Sequence, residues 1–189
     1  NNLIALAGGN VSLRMPNGDI IITPSGMSYE IMTPDDMIVF DKDKNIIEGT
    51  RKQSVDTPAL FYIFDNMPEV NAILHTHQPY ATAVGLVSDE LPACLTTLAN
   101  ATRGAVTVAP YSPPGNLSMG QLTVDYIGDK LAVILKHHGV ITVGKDLHEA
   151  LYAAVYLETS SITYLSAAGV CEPRSEEHTS ELQSHEPIS

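Results

Sequence analysis

His75 and His77 flank a single threonine at the end of an apolar run, and a second pair, His137-His138, lies between two later apolar runs just before Gly139. On a β-strand alternate side chains leave the same face, so His75 and His77 project side by side. Two imidazoles on rigid backbone can share a metal ion. A third from another strand completes a three-nitrogen set with an open position, which is how catalytic zinc sites are built. Read alone, the spacing also suits two histidines facing solvent at a strand end. Three small-residue turns lie upstream: Gly8-Gly9-Asn10-Val11-Ser12, Thr23-Pro24-Ser25-Gly26 and Lys52-Gln53-Ser54-Val55-Asp56. Small residues let backbone N–H groups approach an anion, and Ser and Asn add donors, so the three together can form a phosphate cradle.

The elements that must hold these residues follow from periodicity and capping. Residues 19–23, 37–40, 71–77, 106–110, 131–135 and 140–143 read as strands. Thr33-Pro34-Asp35-Asp36 reads as one helical turn, and Thr57-Pro58 opens a helix to Asn66 with Leu60, Phe61 and Phe64 on its apolar face. A short helix starts at Pro79, carrying Tyr80, Ala83 and Val84. Ser118-Met119-Gly120-Gln121 and Asp146-Leu147-His148-Glu149 read as capping boxes. The second opens a long helix with Leu147, Leu151, Ala154 and Val155 as its buried stripe and Gly169 as its cap. His148 falls on the solvated side of its first turn. Interleaved strands and helices without repeats predict an α/β fold, a three-layer α/β/α sandwich around one central sheet.

Composition narrows the function. With 44% hydrophobic residues, the 189-residue chain can bury a core of its own. A formal charge of −12 argues against nucleic acid as a partner. No apolar run is long enough to span a bilayer, which argues against a membrane partner. Cys94 and Cys171 form no framework or CxxC motif, so a reducing, cytoplasmic setting is expected. Residues 1–173 read as a single domain truncated at both ends. From Arg174 onward the composition turns polar and acidic, and residues 174–189 match the conceptual translation of a sequencing adapter. They read as a disordered, non-native tail, which removes His178 and His185 from any ligand search.

In this order and spacing, GGNVS, ITPSG, K-x-S-x-DTP, HTH, APY and HHG resemble the class II aldolase/adducin family, over about residues 3–169. The resemblance implies that His75, His77 and His138 are metal ligands, His138 being the histidine directly before the glycine and His137 its neighbour on the opposite face. It implies substrate phosphate contacts at Gly9, Asn10, Ser25, Gly26 and Ser54, and a catalytic role for Asp56, matching an acidic residue that is the catalytic base in the aldolases, as Glu, and lies at the metal in the epimerases, as Asp. The implied activity is a metal-dependent aldolase that cleaves a phosphorylated ketose by retro-aldol chemistry through an enediolate. An L-ribulose-5-phosphate 4-epimerase-like reaction is the alternative, and a non-catalytic adducin-like scaffold a further one. The expected ion is Zn2+, with Mn2+ or Co2+ compatible with the same donors. The family also implies a homotetramer with sites between subunits.

The chain departs from the family pattern at three places. Thr96 and Asn100 stand where family members carry a catalytic tyrosine and aspartate, and Val55 replaces a phosphate-contacting serine. A cupin-type barrel also uses HxH and a later histidine. Here Gln78-Pro79-Tyr80-Ala81-Thr82 lacks the cupin glutamate, and helices at Pro58 and Asp146 do not suit a barrel.

Overall fold

The computed structural model describes residues 3–169; the segment from residue 174, with its two histidines, and Cys171 lie outside the described residues. The strands are β1 (Asn10–Arg14), β2 (Ile20–Ile22), β3 (Ile38–Phe40), β4 (Ile46–Glu48), β5 (Ala72–Thr76), β6 (Glu90–Leu91), β7 (Val106–Ala109), β8 (Ala132–Leu135) and β9 (Gly139–Gly144). The helices are α1 (Thr57–Asn66), α2 (Pro79–Val87), α3 (Thr96–Thr102), α4 (Leu117–Ile127) and α5 (Leu147–Ala168). The strands form one sheet in the order β4-β3-β2-β1-β5-β9-β8-β7-β6. Neighbours run antiparallel apart from β7 and β8, which are parallel.

Helices cover both faces, so the sandwich expected from the sequence is the fold observed. On one face Leu60, Ile63 and Phe64 of α1 and Met119 and Ile127 of α4 pack on Ile22, Ile73, Val133 and Leu135. On the other, Ala81 and Val84 of α2, Leu98 of α3 and Leu157 of α5 pack on Val108, Ala132 and Ile134. Ala150 and Ala154 of α5 meet Ala72 and Leu74 of β5. Strand β5 therefore sits in the middle of the molecule, buried along its whole length. Its odd-numbered side chains, His75 among them, share a face with α1, and its even-numbered ones face α5.

Arg14, at the end of β1, organises the link from α1 to β5. Its guanidinium donates to the carbonyls of Phe64, Met67, Pro68 and Val70 and lies 5.2 Å from the Phe64 ring centroid. One cation thus satisfies the Phe64 carbonyl in the last turn of α1 and ties it to carbonyls of the connection that follows.

Several local expectations shift. Asn10 opens a strand rather than lying in a turn, because β1 pairs with β2 and β5 on both sides. Strands β4 and β6 and helix α3 are additions; β4 is exposed and β6 has only two residues, too short to carry a period. The cap of α4 is Asn116, whose Oδ1 accepts from Ser118 N–H at 2.9 Å, while the Ser118 hydroxyl pairs with Ser112 at 2.7 Å. Asp146 caps α5 as expected, accepting from Glu149 N–H at 2.8 Å. The buried side of α5 is not the expected leucine stripe. Leu147 and Leu151 are exposed, and Ala150, Ala153, Ala154, Leu157, Glu158, Ser160 and Ser161 face inward. Small side chains let a long helix lie close on a sheet, and closeness outweighs the bulk of any one leucine here. Gly169 caps the helix with a right-handed φ of −68°.

Candidate metal centre

His75 is the last residue but one of β5, paired across the sheet with Asn10 on β1 and Ile141 on β9. It is 1% exposed, and its Nδ1 lies 3.0 Å from the carbonyl oxygen of Val140. A carbonyl only accepts, so Nδ1 carries the hydrogen and Nε2 presents its lone pair toward His77 and Asp56. The Nε2 of His77, one residue beyond the strand, stands 3.2 Å from that nitrogen. The ring of His77 sits between two glycine backbones: a Cβ on Gly8 would meet its Nδ1 at 3.1 Å and one on Gly139 its Cδ2 at 3.0 Å.

His138 enters from the three-residue connection between β8 and β9. His137 takes a left-handed φ of +57° and points outward, its ring centroid 6.5 Å from that of Tyr111. The rings of His75 and His138 are 4.8 Å apart, and those of His77 and His138 5.5 Å. One nitrogen from each of the three lies within 4.8 Å of the others.

The donor chemistry fits a divalent ion. Burial pushes the His75 pKa down to about 4, against the opposing pull of the Asp56 charge. Burial, then the nearby His77, likewise lowers that of His138. Both rings are therefore neutral at pH 7, the form a ligand nitrogen needs. Nδ1 of His138 is buried without a hydrogen-bond partner, an unmet demand such a centre carries.

Asp56 supplies the carboxylate. It is the residue immediately before α1, buried, with Oδ2 4.0 Å from His75 Nε2. Asn10 Nδ2 donates to Oδ2 at 2.9 Å, and the backbone N–H of Gly115 donates to Oδ1 at 3.0 Å. Ser54 braces the turn: its hydroxyl accepts from the N–H of Asp56 at 3.2 Å, and its carbonyl accepts from the Thr57 hydroxyl at 2.8 Å. The same Asn10 amide reaches the Ser54 hydroxyl at 3.4 Å, while Asn10 Oδ1 is buried and unpartnered.

Gly9 runs against the histidine strand, and the Ser25-Gly26 turn is joined to the segment before Ser54. Gly9 has φ +75°, and a Cβ there would stand 2.2 Å from the His75 carbonyl oxygen, so only glycine lets the chain pass beneath the histidine strand. The Ser25 N–H donates to the Lys52 carbonyl at 2.8 Å, which ties the Ser25-Gly26 turn to the Ser54 segment. Gly26 is exposed with open space around it. A cavity of about 410 Å³ opens alongside, lined by residues 52–55 with Thr57, Pro58 and Phe61.

Sequence reasoning missed Gly115 and Val140, which act through backbone atoms that carry no signature of their own. Thr96 and Asn100 are exposed on α3, in the helical layer on the opposite face of the sheet from His75. His148 is exposed and stacks on Tyr152, as expected for the solvated side of α5. Cys94 is a free thiol whose pKa burial pushes up.

The chain is similar in sequence and fold to known proteins. The family model described as the class II aldolase and adducin N-terminal domain matches residues 1–165. An L-fuculose phosphate aldolase of Methanococcus maripaludis is 34% identical over 161 residues, 84% of this chain and 86% of its own. A 5-deoxy-D-ribulose 1-phosphate aldolase of Bacillus thuringiensis serovar kurstaki is 30% identical over 168 residues, 88% of this chain and 78% of its own. An L-ribulose-5-phosphate 4-epimerase of Salmonella paratyphi B is also 30% identical, over 82% of this chain and 74% of its own. A solved L-fuculose 1-phosphate aldolase superposes with a TM-score of 0.88 at 26% identity, covering 96% of this chain and 86% of that one.

Proposed function

The chain belongs to the class II aldolase and adducin family, and from that premise we propose that it is a metal-dependent aldolase that cleaves a phosphorylated ketose. The observation that carries the reading is the convergence of three histidine nitrogens within 4.8 Å of one another beside a buried carboxylate. His75, His77 and His138 would hold the ion, with Zn2+ favoured and Mn2+ or Co2+ compatible. Once bound, a divalent ion supplies positive charge where a substrate oxygen becomes negative as the carbon–carbon bond breaks.

The chain's own residues do the rest. Gly9, Asn10, Ser25, Gly26 and Ser54 fix the phosphate and so orient the distant reacting carbons. Asp56 takes the hydroxyl proton as that oxygen becomes the aldehyde carbonyl. The electron pair of the broken bond stays on the ketone fragment, and a proton returned to its carbon completes the cleavage. The hydrogen bonds from Asn10 and Gly115 hold the carboxylate aimed at this task.

A second reading, a 4-epimerase acting on a pentulose 5-phosphate, is favoured by one feature: the acid is Asp in the run Asp56-Thr57-Pro58. Among the described residues no helix is long and apolar enough to cross a membrane. A cytoplasmic homotetramer with sites between subunits completes the proposal. Exposed Val55, Tyr111 and Leu117, on the two segments that meet at Asp56, support such a contact.

The test incubates the metal-loaded protein with ketose 1-phosphates and, separately, with pentulose 5-phosphates. Release of an aldehyde and a ketone phosphate is expected from the first set, and a fall of about 100-fold or more in His75→Ala. Interconversion without cleavage would replace the aldolase with the epimerase. No reaction and no bound metal would leave only the scaffold.

A further inference from the structure

A buried carboxylate stands on the far side of the histidine strand, where the chemistry above does not use it. Glu158 lies in the middle of α5 and is 4% exposed. Its Oε1 accepts from the backbone N–H of Tyr80 at 3.0 Å, and its Oε2 accepts from that of Ala81 at 2.9 Å. Both donors belong to the first turn of α2, which begins two residues after His77. The residue before that helix, Gln78, makes no side-chain cap, and its own amide is buried without a partner. Glu158 thus supplies from another helix the acceptors that a local cap would give. The negative charge sits at the positive end of α2, where the helix dipole stabilises it.

The consequence reaches the metal centre through a very short piece of chain. Ala150 and Ala154, two turns and one turn before Glu158 on the same side of α5, pack on Ala72 and Leu74 of β5. One helix therefore grips the histidine segment on both sides of His75 and His77: by apolar contact before them and by a paired hydrogen bond after them. His77 has no strand pairing of its own, since the ladder to β9 ends at Thr76. What fixes the direction of its backbone is the strand on one side and the anchored first turn of α2 on the other.

We propose that Glu158 is a positioning residue that sets the placement of His77, and hence the affinity of the centre for its ion. This rests on the reading of His75, His77 and His138 as the holders of a divalent ion. In Glu158→Gln the side chain keeps its size, but its NH2 end faces an N–H donor instead of accepting from it. The first turn of α2 then loses an anchor, and His77 moves with it.

The test measures Zn2+ affinity of the full apoprotein by competition with a chromophoric chelator, alongside the melting temperature without metal. Wild type, E158Q and Ile38→Ala are compared; Ile38 is fully buried on β3, three strands from β5 and in the cluster on the face away from α2, and serves as a structural control. The expected result is a loss of about tenfold in affinity for E158Q, and wild-type affinity for I38A even where its melting temperature falls further. Affinity of E158Q within twofold of wild type would overturn the proposal, as would an equal loss in I38A. If E158Q does not fold, Glu158→Asp, which draws the carboxylate back from both N–H groups, is read against the same thresholds. Absence of Zn2+ binding by wild type would instead remove the metal reading itself, and this inference with it.

Discussion

His75 shows how one side chain can be committed by its surroundings before any ligand arrives. The bond to Val140 selects the tautomer and aims Nε2, and burial keeps the ring uncharged. The same burial has a thermodynamic signature. The folded pKa of about 4 lies below the ordinary 6.5, so between these values the unfolded chain holds a proton that the folded chain refuses. Stability is therefore undiminished above about pH 6.5 and falls as pH drops toward 4. Urea unfolding of the apoprotein at pH 7.5 and pH 5 should show that loss, and His75→Asn should show correspondingly less of it. An identical pH slope in the two proteins would refute the assignment. Of the individual residues, the histidines and Asp56 were legible because their chemistry is in their side chains. Gly115 and Val140 were not, since a backbone N–H or carbonyl is the same at every position.

At the scale of elements, the site depends on how closely β9 and the loop before β1 approach β5. Gly139 has no room for a side chain: a Cβ would stand 2.5 Å from the Thr76 carbonyl oxygen and 3.0 Å from the His77 ring. Gly139→Ala is expected to cost about 1–3 kcal/mol by overpacking and to weaken metal binding together with stability. Thermal unfolding and a metal titration on the same preparation would check both, and a variant as stable as wild type would contradict the close contact. Strong patterns such as residues 131–135 and the Asp146 cap were readable from sequence. The inward side of α5 was not, because a stripe of alanines and serines has no hydrophobic signal to rival Leu147 and Leu151. Strand β1 was hidden for a related reason: Asn10 and Ser12 are buried polar residues, paid for by hydrogen bonds to partners 44 to 61 residues away.

At the scale of the whole molecule, Val55, the residue before Asp56, and Tyr111, on the segment leading to Gly115, are more than half exposed, although both are apolar or aromatic. Sedimentation equilibrium of the native protein is expected to give a mass about four times that of the chain, in line with the homotetramer proposed above, and Val55→Asp to shift it toward smaller species. A monomer throughout would defeat that part of the reading. The sequence by itself determined the family, the layered α/β architecture and the identities of the metal-site candidates, because motif order, capping residues and hydrophobic period are local properties of the chain. Only the tertiary structure decided that His138 meets His75 and His77, that Asn10 and Gly115 grip Asp56, and that Glu158 anchors α2. Each of these is a contact between segments far apart along the chain, and no local pattern encodes the distance between them.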